Sequence, residues 1–271
     1  MTRPLFRCLS IILAAGLAAC TTGGPKVSNV SADEAFRRGD FGAAMKLYSE
    51  SAAAGDPEAQ FRVGYMYSSG KGVDKDLAQA VNWMSKAAAS GHALAQHNMG
   101  LIAYNGLGAP RNPQEAAMWY QKAADQDVTD SQMNLAMMRY KGDGVEKDPA
   151  AAAELFRKAA DKGQVRAQAT LGLMYFTGDG VAADAKEALK YFKAAANQGN
   201  PFAQNYLGII FSKGQGAPQS KTEAIHWFHQ AGLNYIKLGQ REKAAAMAAS
   251  IQAINQDSPA YMDLVNKLGL R

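Results

Sequence analysis

The chain has 271 residues, of which 48% are hydrophobic and 20% are charged, and its formal net charge is +5. Arg3 and Arg7 lie in a segment that we expect to be removed, and the remaining residues carry a net charge of +3. Such a weak and dispersed excess of basic residues argues against nucleic acid as a partner. The many alanines are typical of a compact helical protein.

The first 19 residues predict a secretory signal peptide. A short basic start precedes an apolar run from Leu9 to Ala19, which is too short to span a membrane stably. The run ends in Leu17-Ala18-Ala19-Cys20, which resembles the lipobox of bacterial lipoproteins. The resemblance implies cleavage before Cys20 and a diacylglycerol on its sulfur. The alternative is ordinary signal cleavage next to an incidental cysteine.

Cysteine usage agrees with lipidation at Cys20. Cys8 lies inside the predicted signal peptide, so the mature chain keeps one cysteine and no intramolecular disulfide is possible. Two or three acyl chains anchor a protein stably to a membrane. Thr21 after the cysteine resembles the outer-membrane sorting signal of Gram-negative lipoproteins, and residues 20–30 are predicted to be a lipidated, flexible tether. We therefore expect a periplasm-facing protein of the cell envelope, anchored in the outer membrane.

The rest of the chain repeats itself every 36 residues. A large apolar residue followed by a small residue recurs five times, at Val63-Gly64, Met99-Gly100, Leu135-Ala136, Leu171-Gly172 and Leu207-Gly208. A Gly-x-Gly pair follows each of them, at Gly70/Gly72, Gly106/Gly108, Gly142/Gly144, Gly178/Gly180 and Gly214/Gly216. A fixed period of this length predicts a solenoid, whose units bury their apolar faces by stacking on their neighbours.

The unit at residues 57–92 closely resembles the Sel1-like repeat family, which is similar to tetratricopeptide (TPR) repeats. Its pattern includes Ala59-Gln60, Val63-Gly64, the Gly-x-Gly pair and Trp83. The resemblance implies an all-α fold, a right-handed α-solenoid of stacked helix–turn–helix repeats. We expect five repeats over residues 57–236, a partial TPR-like unit at 31–56 and a TPR-like C-terminal cap at 237–271.

Each repeat is predicted to contain two helices, A and B. Helix A runs from about Pro57 to Ser69 in the first full repeat, and the Gly-x-Gly pair ends it with at least one left-handed glycine. Gly64 is expected to let helix B approach closely at Ala80. Helix B begins after an N-cap residue at Asp76, Asn112, Asp148, Asp184 and Ser220. Four of these caps precede a Gln or Glu with capping-box spacing, at Gln79, Glu115, Glu187 and Glu223. One helix-B position is always large and apolar and is predicted to be core, at Trp83, Trp119, Leu155, Tyr191 and Trp227.

No pattern of catalytic or metal-ligating residues emerges. His226 and His229 share a helical face, but no third ligand lies at a useful spacing, so we predict no metal site. Ser68 and Lys71 match the Ser-x-x-Lys of penicillin-interacting enzymes, but the serine ends a helix instead of beginning one. We therefore predict no enzymatic activity and no cofactor.

What remains is a surface on helix A, which would line the concave side of a TPR-like solenoid. The predicted partner-binding residues are Phe61, Tyr65, His97, Leu101, Tyr104, Met137, Tyr140, Leu173, Phe176 and Ile209. Further outward positions include Arg166, Thr177, Phe202 and Lys213. An apolar, aromatic surface suits a peptide or helix of a partner protein. Alternatively, Tyr65 and its equivalents serve only to close the superhelix.

These observations favour a membrane-anchored, non-enzymatic scaffold or adaptor that binds a protein or peptide. The resemblance agrees, since Sel1-like proteins are similar to adaptors used in signalling, envelope organisation and host contact. A second hypothesis is a protein directed at the cell wall, with peptidoglycan-binding, penicillin-interacting or hydrolytic activity. The cysteine-rich relatives linked to penicillin binding carry paired cysteines in each repeat, which this chain lacks.

Overall fold

The computed structural model describes residues 29–108 and 110–270. The predicted signal peptide, Cys20 and most of the tether lie outside the described residues. The described residues form fourteen α-helices and no strand, which confirms the predicted all-α fold of helix–turn–helix repeats. None of these helices has both the length and the apolar character needed to cross a membrane.

The helices follow the predicted repeat closely. They are α1 (Val30–Arg37), α2 (Phe41–Ala53), α3 (Pro57–Ser69), α4 (Leu77–Ala89), α5 (Ala93–Asn105), α6 (Pro113–Asp125), α7 (Thr129–Lys141), α8 (Pro149–Asp161), α9 (Val165–Thr177), α10 (Ala185–Asn197), α11 (Pro201–Lys213), α12 (Lys221–Lys237), α13 (Arg241–Ile254) and α14 (Pro259–Leu268). The odd-numbered helices from α3 to α11 are the A helices of the five full repeats, and the next even-numbered helix is the B helix.

The chain divides into two compact units, one up to Ala123 and one from Ala124 onwards. In the first unit, consecutive helices from α1 to α5 pack on one another. In the second unit, consecutive helices from α7 to α14 do so, and α12 also contacts α14. Within each unit, the core therefore lies between neighbouring helices of the stack.

The helix-B caps are confirmed, but the reciprocal half of the predicted capping box is wrong. All five N-cap side chains accept a backbone N–H of the first turn; Asp76 Oδ1, for example, lies 3.0 Å from the nitrogen of Gln79. The backbone N–H of each cap residue donates to a helix-A carbonyl instead, as Asp76 does to Tyr67 at 3.0 Å. Because that donor is already used, Glu115 and Glu223 accept hydrogen bonds from the indoles of Trp119 and Trp227.

Both glycines of every Gly-x-Gly pair have positive φ, which extends the prediction of at least one. The first glycine is a left-handed cap, as at Gly70, whose N–H donates to the Met66 carbonyl. At Gly72, Gly180 and Gly216 the second glycine abuts the first residue of the preceding even-numbered helix, whereas at Gly108 nothing lies within 4 Å. A Cβ on Gly180 would lie 2.5 Å from the Pro149 carbonyl oxygen. At these three positions the second glycine is therefore needed for contact between repeats as well as for the turn.

The small residue on helix A lets helix B approach closely, as predicted, and in the later repeats an aromatic ring of helix B fills the space. A Cβ on Gly172 would lie 2.8 Å from the ring of Phe192, and one on Gly208 would lie 2.6 Å from that of Phe228. At Gly64 the neighbours are Met84 and the Ala80 carbonyl, as expected. Small size at this position is thus a packing requirement.

The large side chain that fills this space lies one residue after the position predicted to be core. The fully packed helix-B residues are Met84, Tyr120, Phe156, Phe192 and Phe228. Trp83, Trp119, Leu155 and Trp227 are only half-buried, while Tyr191 is buried. The core prediction is therefore confirmed for Tyr191, whereas the other four residues pack against the core without being buried in it. The large side chain that faces helix A is the next one along.

A row of buried glutamines connects each helix A to the helix before it. Each side-chain Nε2 donates to the carbonyl eight residues earlier, at distances of 3.1–3.4 Å. The five residues are Gln60, Gln96, Gln132, Gln168 and Gln204. Each acceptor is an alanine carbonyl in the last turn of a helix that also accepts a backbone N–H from the turn that follows. The glutamine amide therefore gives this carbonyl a second hydrogen bond and ties the end of one helix to the next helix A.

Candidate binding surface

One stripe of each A helix faces away from the core. Residues spaced at i, i+4, i+7 and i+11 lie on one side of a helix. In α9 and α11 the residues at these positions are half-buried or exposed, whereas most of those between them are buried. We call these positions the helix-A stripe. In the second unit they are Asp130, Asn134, Met137 and Lys141 on α7, Arg166, Thr170, Leu173 and Thr177 on α9, and Phe202, Tyr206, Ile209 and Lys213 on α11.

Five of the predicted binding residues lie on the stripe and are half-buried: Tyr65, Leu101, Met137, Leu173 and Ile209. Two others, Phe61 and His97, are core residues with only 6% and 5% exposure. Phe61 stacks on His92 with 4.6 Å between ring centroids, and the His97 ring lies 5.7 Å from that of Tyr120. The structure therefore removes Phe61 and His97 from the candidate surface.

The remaining three, Tyr104, Tyr140 and Phe176, lie one residue before the end of the stripe. The Tyr140 hydroxyl donates to Asp179 Oδ2 at 2.5 Å, in the turn of the next repeat. This hydrogen bond to a carboxylate, which favours the protonated phenol, raises the pKa of Tyr140. The Arg111 guanidinium lies 4.7 Å from the Tyr104 ring centroid. Each side chain is half-buried, so one side of it is engaged and another remains accessible.

Aromatic rings gather where α9, α10 and α11 meet. The Tyr206 ring stacks on the buried Phe192 at 4.9 Å, and Phe176 meets Tyr206 edge-on at 5.5 Å. Phe202 lies 4.7 Å from Tyr206 and is 36% exposed. We call Leu173, Phe176, Phe202 and Tyr206 the aromatic patch. Its rings pack on one side against the core, through the buried Phe192, so their exposed sides form a supported apolar surface.

Charges on the helix-A stripe differ between the two units. In the second unit, α9 and α11 carry one cation each, Arg166 and Lys213, and neither helix contains Asp or Glu. Both cations are exposed and form no ion pair with another described residue. In the first unit, α5 has no Asp, Glu, Lys or Arg, and on α3 Glu58 pairs with Arg62 at 2.7 Å.

The residues weighed above as metal ligands or catalytic groups do not come together in one site. His226 is exposed, whereas His229 Nε2 pairs with Asp263 Oδ2 at 2.8 Å. Within the described ranges, no group of three or more His, Cys, Asp and Glu is arranged to hold a metal ion. The Ser68 hydroxyl donates to the Tyr65 carbonyl, and the Lys71 ammonium lies 5.1 Å from the Phe36 ring. Ser68 and Lys71 thus have separate structural partners.

The repeat matches the model of one family along most of the chain. The Sel1 repeat model matches residues 35–56, 57–92, 93–128, 129–164, 165–200 and 201–234. The chain belongs to the Sel1 repeat family. Sel1 repeat proteins generally mediate protein–protein interaction, and the repeat is generally a non-enzymatic scaffold.

Two solved structures of Sel1-type proteins resemble this one. A protective antigen of uropathogenic Escherichia coli that displays an SLR fold is 29% identical with a TM-score of 0.79, over 89% of this chain and 53% of its own. This chain thus spans about half the length of that antigen. A Sel1 repeat protein of Oxalobacter formigenes is 29% identical with a TM-score of 0.73, over 89% of this chain and 96% of its own. No curated protein matches the chain.

Sequence reasoning missed one member of the aromatic patch, Tyr206. Its equivalents in the other repeats are Arg62, Asn98, Asn134 and Thr170, which share neither size nor polarity. The variability of this position between repeats was the sequence signal from which a binding role for Tyr206 could have been predicted. A position that changes freely between otherwise regular repeats is not needed for packing between them and is free to serve recognition.

Proposed function

We propose that this Sel1 repeat protein is a non-enzymatic, membrane-anchored scaffold that binds a protein or peptide partner at the bacterial cell envelope. The helix-A stripe of the second unit would hold the partner, and a lipid on Cys20 would hold the protein at the outer membrane, facing the periplasm. The partner would meet a surface that already exists, because the helices that carry the stripe are fixed by the repeat.

The aromatic patch is the observation that carries the proposal. Phe202 keeps 36% exposure although it is a large aromatic residue on a helix whose other face is fully packed. Partly exposed aromatic side chains on a rigid support are typical anchors of protein interfaces, and single anchors contribute about 2 kcal/mol or more. The adjacent stripe residue Ile209 enlarges the apolar area.

Site-specific photocrosslinking in cells tests the binding surface. A photoreactive phenylalanine analogue is placed at Ile209, on the stripe, and in a second variant at Lys193, an exposed residue of α10. We expect a discrete crosslinked product from position 209 that position 193 does not give. Equal products from the two positions, or no product from 209, would contradict the assignment of the surface.

Fractionation of cells tests the anchor. Cys20→Ala should release the chain from membranes into the soluble periplasmic fraction, because no other lipid attachment is proposed. Membrane association that survives the substitution would disprove the anchor. Labelling of the purified protein by a penicillin analogue would argue for the enzymatic alternative and against a pure scaffold.

A further inference from the structure

We propose that the surface formed by α9 and α11 selects an acidic peptide segment, with an aromatic or aliphatic side chain between its acidic residues. This inference rests on the proposed function, since it names the chemistry of the segment that the stripe of the second unit would bind. Three features of the surface lead to it: its uncompensated cations, their spacing and the apolar patch between them.

The cations on α9 and α11 lack a carboxylate partner on either helix. Arg166 and Lys213 are the only charged residues of these two helices, and both are exposed. The neighbouring carboxylates form no ion pair with either cation: Asp179 accepts the hydroxyl of Tyr140 in the turn after α9, and Asp130 lies one repeat earlier, on α7. Exposed cations without an ion-pair partner favour an acidic partner and speed its association.

The two cations lie at opposite ends of the stripe. Arg166 is in the first turn of α9, and Lys213 is the last residue of α11. Their positions within the repeat differ by 11 residues, which corresponds to about 16 Å along a helix axis. Neighbouring packed helices also lie about 10 Å apart, so the two cations are separated by about 19 Å, which an extended chain covers in about six residues. Two acidic residues separated by about six positions therefore match the two cations.

Apolar and hydrogen-bonding groups lie between the cations. The aromatic patch offers the rings of Phe202 and Tyr206 to a side chain in the middle of the segment. The side chains of Thr170 and Asn205 and the Tyr206 hydroxyl form no hydrogen bond with other described residues. These half-buried groups are available to the backbone of an extended peptide, whose amides lose water when it binds.

Selection from a random library of twelve-residue peptides displayed on phage tests the inference. The bait is the purified full chain, and the comparison bait carries Arg166→Glu and Lys213→Glu. We expect peptides selected on the natural chain to be enriched in Asp and Glu flanking an aromatic or aliphatic residue. The double variant should lose the acidic enrichment, because it presents like charges to the same residues.

A charge-matched control separates the two cations from the overall charge. Lys186→Glu with Lys221→Glu makes the same change in net charge at exposed lysines in the first turns of α10 and α12. The most enriched synthetic peptide should bind the stripe double variant at least about tenfold more weakly than the natural chain, and the control variant within about twofold. A milder pair, Arg166→Gln with Lys213→Gln, should give an intermediate loss, and circular dichroism verifies that each variant is folded.

The outcomes are distinguishable. Enrichment of neutral or basic peptides, or acidic peptides that bind the double variant unchanged, would overturn the acidic specificity and leave the scaffold function standing. If no peptide is enriched on the natural chain, peptide binding by this surface fails as well. Binding that weakens as salt rises in the natural chain, but not in the double variant, would support the assignment of Arg166 and Lys213.

Discussion

The helix-A stripes of the two units lie on equivalent helices but carry different side chains. At the first stripe position, the first unit has Glu58 and Leu94 where α9 and α11 of the second unit have Arg166 and Phe202. The Glu58 carboxylate is paired within its own unit, where it accepts hydrogen bonds from Arg62 and His92. Arg166 has no such partner in the described chain. In the first unit the stripe charges stabilise the fold, whereas in the second they remain available.

The difference shows how a repeat protein separates folding from recognition. The glycines, the buried glutamines and the helix-B caps recur in every full repeat and are explained by contacts within the stack. The first, second and fourth stripe positions differ in residue type between repeats, whereas the third is always large and apolar. Substitutions at the shared positions should therefore affect stability, and substitutions on the stripe of the second unit should affect binding.

The largest effect is expected at a second glycine that abuts the preceding helix, as Gly72 does in the first unit and Gly180 in the second. Gly180→Ala adds a Cβ at φ 75°, 2.5 Å from the Pro149 carbonyl oxygen, whereas Gly163→Ala adds one at φ 83° with nothing within 4 Å. We expect a loss of about 3 kcal/mol in the free energy of unfolding for Gly180→Ala and about 1 kcal/mol for Gly163→Ala. Urea denaturation measures both, and equal losses would disprove a packing role for the second glycine.

The next largest effect is expected on peptide affinity, which should depend on the stripe of the second unit and not on that of the first. Phe202 and Leu94 occupy the same repeat position with 36% and 37% exposure. Phe202→Ala should weaken binding of a phage-selected peptide by about 2 kcal/mol, or roughly thirtyfold, because it removes an anchor of the aromatic patch. Leu94→Ala should change the same affinity, measured by fluorescence anisotropy, less than about twofold. Similar losses would mean that binding is not confined to the second unit.

A smaller effect is expected at His92, which caps α5 in the first unit. Its Nδ1 accepts the Ala95 N–H at 3.1 Å, so the proton of the neutral ring is on Nε2, which donates to Glu58. His92→Ala should lower the free energy of unfolding by about 1 kcal/mol, and His92→Asn should restore part of it, since asparagine is a good N-cap. Thermal denaturation compares the two; if asparagine were no better than alanine, the loss would come from the stacking on Phe61.

The smallest effect concerns pH and the internal pairing of Glu58. The hydrogen bond from His92, followed by the charge of Arg62, lowers the pKa of the Glu58 carboxyl in the folded chain. Its contribution to stability is complete above the unfolded-state pKa of about 4.3 and is lost as pH falls through the lower folded-state pKa. The urea midpoint of Glu58→Gln should therefore fall less steeply than that of the natural chain between about pH 5 and pH 3. Glu50→Gln, at an exposed glutamate of α2, is the control and should follow the natural chain.

The period of the repeats and the residues that begin and end each helix were sufficient to predict the helices. The start of α3 at Pro57 and its end at Ser69 follow from an Asp-Pro cap and a Gly-x-Gly stop, each of which acts within a few residues. The last full repeat departs from this pattern, since α12 (Lys221–Lys237) has 17 residues whereas α11 has 13. Local signals of this kind do not depend on what lies across the core.

The orientation of helix A was harder to predict, because A helices are apolar on more than one side. Phe61 packs in the core while Tyr65, four residues later, lies on the stripe, yet both are aromatic. A helix packed between neighbours has no simple alternation of polar and apolar faces. The same ambiguity led to Trp227 being predicted as the core residue of helix B, whereas the buried residue is the next one, Phe228. Only the contacts across the core decide between such neighbours.

The two kinds of turn in each repeat differ in the freedom they leave to the chain. The Gly-x-Gly turn is fixed in length wherever its second glycine meets the preceding helix, as Gly180 meets Pro149 and Gly216 meets Ala185. The turn from helix B to the next helix A is open, and a side chain on Gly91, Gly163 or Gly199 would meet nothing within 4 Å. Insertions, epitope tags and protease sites should accordingly be tolerated in the open turns and rejected by the Gly-x-Gly turns. Length variation among proteins of this architecture is expected to concentrate at one of the two turns of the repeat.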